Sequence, residues 1–107
     1  MQIPLQVNFE GCEPSDTAHA AIEHEMERLE EHNHNIIGCR VTVIGPSHKH
    51  RHGSGFQIHI WLTLPPHRNV VVSHAQSDDA RHEYVEVAVK DAFASARRQL
   101  DDLAPRS

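Results

Sequence analysis

The sequence predicts an α+β domain in the order β-α-β-β-β-α, a four-stranded sheet with two helices packed on one face. Three observations predict it. Four stretches alternate apolar and polar residues with the period of two of a half-buried strand. Two longer stretches repeat apolar residues at the three-to-four spacing of an amphipathic helix. Each strand has a single apolar face, so one helical layer is enough to cover the sheet.

In the first strand Ile3, Leu5, Val7 and Phe9 alternate with Pro4, Gln6 and Asn8. Pro4 cannot donate a ladder hydrogen bond, which favours a sheet edge or a free start. Gly11 to Pro14 is a turn. Ser15, Asp16 and Thr17 offer N-cap oxygens. Ala18, Ala21, Ile22, Met26 and Leu29 then recur at helical spacing, so a helix is expected over about Asp16 to Glu31. Its outer face sets Glu23, Glu27, Glu30 and Glu31 against Arg28, and His32-Asn33-His34-Asn35 ends it.

Ile37, Cys39, Val41 and Val43 mark the inner face of a second strand, with Arg40 and Thr42 outside, and Gly45-Pro46 stops it. A polar loop, Ser47 to Gly55, follows. Phe56, Ile58, Ile60, Leu62 and Leu64 alternate with Gln57, His59, Trp61 and Thr63 in the third strand. Pro65 to Arg68 turns the chain into a short fourth strand, Val70 to His74. After a connector comes a long helix, expected over about Glu83 to Leu103. Its apolar stripe runs through Val85, Ala88, Val89, Ala92, Phe93, Ala96, Leu100 and Leu103. Glu86–Lys90, Arg97–Asp101 and Arg98–Asp102 are spaced for i,i+4 ion pairs. Short loops between the last three strands predict an antiparallel meander.

A length of 107 residues suits one domain, 1–107, able to bury a modest core without staples. The N-terminus lacks a basic and apolar signal pattern, and no stretch approaches the roughly 20 apolar residues of a membrane span. The expectation is a cytoplasmic protein with no membrane partner. Cys12 and Cys39 are read as reduced and structural. A net charge of -5 with histidine neutral means no global basic field draws in nucleic acid. The 11 histidines are the compositional outlier, and histidine titrates near pH 6.5 as a residue type.

No nucleophile elbow, phosphate-binding glycine loop or His-Glu-x-x-His motif is present, so binding rather than catalysis is expected, with no cofactor. The sharpest local feature is His48-Lys49-His50-Arg51-His52. Lys49 and Arg51 could grip phosphates, joined by protonated His48, His50 and His52. The same imidazoles, with His74 and His82 at the exit of the fourth strand, are metal-ligand candidates. The loop has no carboxylate or cysteine ligand, which argues for a solvated loop instead. Trp61, with His59 and Arg40, faces outward on the sheet. It could stack on a nucleobase, anchor a protein interface, or pack on a neighbouring side chain or the chain tail. Lys90, Arg97 and Arg98 lie on the last helix among acidic neighbours, where an ordinary salt-bridged surface competes with a functional reading.

Several segments together carry a family resemblance: Cys39 to Val43, Gly45 to Gly53, Phe56 to Pro65, Ala88 to Phe93 and Ala96 to Leu100. Over about residues 2 to 103 the chain resembles the ribosome hibernation-promoting factor and ribosome-associated inhibitor family, also called the sigma-54 modulation protein family. The likeness is to a short, histidine-rich branch. The resemblance implies a ribosome-associated factor that binds small-subunit rRNA and inhibits translation or promotes hibernation under stress. Family members make that contact with basic residues on the helices and neighbouring loops. Arg28, Lys90, Arg97 and Arg98 match that role in kind, and Lys49 and Arg51 would join them, assisted by His48, His50 and His52. The alternative is a protein-interaction or metal-responsive module of the same fold without ribosome binding. A homodimer is a further partner expectation.

Overall fold

The computed structural model describes residues 4–32, 36–45, 56–65, 68–75 and 84–103. They form β1 (Leu5–Glu10), α1 (Asp16–His32), β2 (Gly38–Ile44), β3 (Gln57–Leu64), β4 (Arg68–Ala75) and α2 (Val85–Leu103). The sheet has the order β1-β2-β3-β4. β1 runs parallel to β2, with Leu5 opposite Cys39 and Glu10 opposite Ile44. A parallel pair needs a long crossover, and α1 is that crossover. β2, β3 and β4 form the expected antiparallel meander. β1 lies at the sheet edge, where Pro4 costs no ladder bond and its carbonyl accepts from Cys39 N at 3.0 Å.

The alternation translates directly into two faces. Val41, Val43, Ile58, Ile60 and Leu62 are fully buried beneath the helices. Ile22, Met26 and Leu29 of α1, with Val89, Phe93 and Leu100 of α2, close over them. Burying each large aliphatic side chain of this kind is worth about 1.5–3 kcal/mol. Ala88, Ala92 and Ala96 are completely buried along α2, and their small size lets that helix lie close to its neighbours.

Two glycines join the end of β1 to the end of β2. Gly11 has φ +67°, a left-handed conformation that costs glycine little. Gly45 donates to Glu10 O at 2.8 Å. A Cβ on Gly45 would stand 2.6 Å from Cys12 Cβ and 2.7 Å from the Gly11 carbonyl oxygen, so only glycine fits.

Several sequence expectations need correction. Ile36 is the buried residue before β2, while Ile37 is 49% exposed. The ladder begins at Gly38, so the period of two does not extend back to Ile37. Ile37 N instead donates to Thr63 O at 2.8 Å and turns the side chain outward. β4 extends beyond both expected ends, because Arg68 and Asn69 pair with Leu64 and Thr63 and Ala75 pairs with Gln57. α1 runs one residue further, to His32. α2 begins at Val85, and Glu83 and Ile3 lie outside the described residues. The described ion pairs do not include Glu86–Lys90, Arg97–Asp101 or Arg98–Asp102. Arg98 Nη2 donates to Ser95 Oγ at 3.2 Å instead, the nearer partner one turn back.

Candidate nucleic-acid interface

Among the described residues no polar or charged side chain is fully buried. Any polar recognition by these residues therefore takes place on a surface. One surface candidate is the groove between the two helices, a depression of about 160 Å³. Its floor is apolar, made by Leu29, Phe93 and Ala94. Its rim carries Arg28 from α1 and Lys90 and Arg97 from α2, with Glu25 beside them.

The helices dictate this arrangement. Lys90 and Arg97 are seven residues apart, two turns, and so share one side of α2. A rise of 1.5 Å per residue separates them by about 10 Å along the axis, enough to reach different phosphates. Phe93 falls between them and anchors that side of α2 in the core at 2% exposure. Arg28 follows the same logic beside Leu29, the last buried residue of α1.

The rim charges are unequal. Arg28 Nη1 lies 3.5 Å from Glu25 Oε2, and the Arg28 side chain stays 52% exposed. Among the described ion pairs none engages Lys90 or Arg97. The groove thus gathers cations in a protein whose net charge is -5. Arginine offers a planar fork of donors and lysine a compact point charge, and both suit phosphate oxygens.

Other expected site residues fall elsewhere. Trp61, Arg40 and His59 lie on the sheet face away from the helices, where Arg40 pairs in register with Trp61. His59 Nδ1 lies 2.8 Å from Ser73 Oγ across the β3–β4 ladder. His74 sits opposite buried Ile58, on the helical side of the sheet, with Nε2 3.9 Å from Asp91 Oδ2 of α2. Arg98 is exposed beyond the groove rim. His48, Lys49, His50, Arg51, His52 and His82 lie outside the described residues. The strand ends that flank them are described. Gln57 opposite both Ile44 and Ala75 puts the end of β2, the start of β3 and the end of β4 at one end of the sheet. Among the described residues no three His, Cys, Asp or Glu side chains converge to hold a metal.

The family resemblance grouped Arg28 with Lys90 and Arg97 by role, but that they border one groove depends on how α1 and α2 cross. The available signals were the seven-residue spacing on α2 and a single guanidinium on an otherwise acidic helix.

A family model described as Sigma 54 modulation protein / S30EA ribosomal protein matches residues 5–106. The fold is similar to the crystal structure of the Thermus thermophilus Protein Y N-terminal domain. That match has a TM-score of 0.71 at 15% identity and covers 97% of this chain and 100% of that one. It is also similar to a ribosomal subunit interface protein from Coxiella burnetii, with a TM-score of 0.73 at 15% identity, covering 94% and 97%. No curated protein matches the chain. The structural likenesses concern the fold, and the family model spans nearly every residue of it. The chain belongs to the sigma-54 modulation protein / S30EA ribosomal protein family.

Proposed function

We propose that the protein is a ribosome-associated factor that binds small-subunit rRNA through the α1–α2 groove and inhibits translation or promotes hibernation under stress. The observation that carries this reading is the gathering of Arg28, Lys90 and Arg97 on one apolar-floored groove of an acidic protein. Family membership supports it, as does the likeness in fold to the Coxiella burnetii ribosomal subunit interface protein. The action is occupancy rather than chemistry. A folded domain held by phosphate contacts blocks whatever else would use that part of the subunit. Lys49 and Arg51, with His48, His50 and His52, extend the cationic set in this reading, and Arg98 lies beside it.

Co-sedimentation with purified 30S subunits tests the proposal. The protein is expected to pellet with them at low salt, and a Lys90→Ala/Arg97→Ala double variant to lose most of that retention while keeping its fold. Absence of association at low salt, at both pH 6 and pH 7.5, ends the proposal.

The second reading, a protein-interaction or metal-responsive module, draws on the exposed carboxylates Glu23, Glu27 and Glu31 of α1. Such a face repels a polyanion and suits a basic protein partner. Retention insensitive to Lys90 and Arg97 but sensitive to these glutamates would favour it.

A further inference from the structure

We infer that the helix-free face of the sheet is a second binding site, where Trp61 stacks an unpaired nucleobase of single-stranded RNA and Arg40 holds the adjoining phosphate. This site lies on the opposite side of the molecule from the helix groove and does not depend on it.

Both helices cover the inner face, and no described element covers the outer one. Across it runs the register row Gln6, Arg40, Trp61 and Val71. Trp61 is 44% exposed and Val71 49% exposed, so a large aromatic and its aliphatic neighbour stand in solvent on interior and edge strands. Burial would be the cheaper fate for both. Among the described residues no hydrogen bond or ion pair occupies the Arg40 guanidinium or the Trp61 indole.

Beside Trp61 lies a groove of about 340 Å³, bordered by Pro4, Gln6, Gly38, Arg40, Trp61 and Thr63. It sits at the low end of the roughly 300–1,000 Å³ range of small-molecule sites. Gly38 leaves the space open on the strand, since a Cβ there would only make ordinary contact, 3.7 Å from Thr63 Cβ.

Charge decides which occupant fits. The acidic residues of the chain are concentrated on its helices, whereas the outer strand positions are mostly neutral and polar. Asn8, Thr42, His59 and Ser73 form the next register row. The carboxylate of Glu10 lies one row beyond that, opposite Ile44, at the far end of the face. Arg40 is adjacent to Trp61. An exposed aromatic, a neighbouring guanidinium and a field of amides and hydroxyls are the components that recognise unpaired bases on an open sheet. A protein partner would need a broader apolar centre, because stable interfaces bury about 1,200–2,000 Å² around a hydrophobic core. Here the apolar centre is confined to Trp61 and Val71.

Trp61 is the single tryptophan of the chain, so its emission reports the site directly. The full chain is titrated with short single-stranded oligoadenylate RNA, and with the same strand in a duplex. Saturable quenching by the single strand, much weaker with the duplex, is expected. By anisotropy of labelled RNA, Trp61→Ala is expected to weaken binding about tenfold or more, and Trp61→Phe to retain most of it. Gly38→Val keeps the indole but fills the groove, and should weaken binding without lowering the melting temperature. Lys90→Ala/Arg97→Ala should lose 30S pelleting yet retain the quenching, which separates this site from the helix groove. Equal quenching by duplex, no quenching at low salt, or full RNA affinity in Trp61→Ala overturns the inference. So does a concentration-dependent emission shift without RNA that tracks self-association, which would make the face a contact between copies of this chain.

Discussion

Cys39 shows how one side chain records its surroundings. It lies in the core beneath α1 at 6% exposure. Burial, and secondarily the negative charge of Glu30, push its thiol from an ordinary 9.0 up to about 12. The folded state therefore holds this proton where the unfolded chain releases it. Its contribution to stability is complete below pH 9.0 and is lost as pH rises toward 12. Urea unfolding from pH 8 to 11 should show stability falling above pH 9, and Cys39→Ala should flatten part of that slope while lowering stability at pH 7. The same burial makes Cys39 resist alkylation at pH 8 until the protein is unfolded. An identical pH slope in the variant would show that other groups dominate.

At the scale of the element, Ser15 sets where α1 starts. Its Oγ accepts from Ala18 N at 3.2 Å, the N-cap geometry for a helix beginning at Asp16. Of the three cap oxygens the sequence offered, this is the one in place. Ser15→Ala should cost about 1 kcal/mol in denaturant unfolding, whereas Thr17→Ala, exposed within the first turn, should cost clearly less. The helix and strand periods were legible because each follows from a repeat of buried residues such as Ile22, Met26 and Leu29. The ends of elements were less so. Ile37 satisfied the strand pattern, yet the first ladder pair is Gly38 opposite Thr63, and Ile36 took the buried place. A hydrophobic pattern says which residues prefer to be buried, while the hydrogen-bond register decides which of two adjacent isoleucines succeeds.

At the scale of the molecule, charge is distributed unevenly over opposed surfaces. The helix groove holds Arg28, Lys90 and Arg97, the outward side of α1 holds Glu23 and Glu27, and the outer sheet face is nearly neutral around Arg40. If the groove contacts about three phosphates, a fourfold rise in salt should reduce 30S affinity roughly 20- to 40-fold. Pelleting that ignores salt would show that phosphate contacts do not hold the protein there. The candidate site was legible in part. Lys90 and Arg97 could be named from their place on the last helix. Their convergence with Arg28 could not, because it arises from the packing of Leu29 and Phe93 between two segments distant in the chain.

The sequence alone determined the element order, the helical cover on one sheet face and most of the core, because apolar periodicity is a local property that burial must satisfy. Only the tertiary structure decided that β1 pairs in parallel with β2, that cations from two helices border one groove, and that Trp61 stands beside Arg40 on an uncovered face. Each of these depends on which residues far apart in the chain become neighbours, and strand register and helix crossing set that.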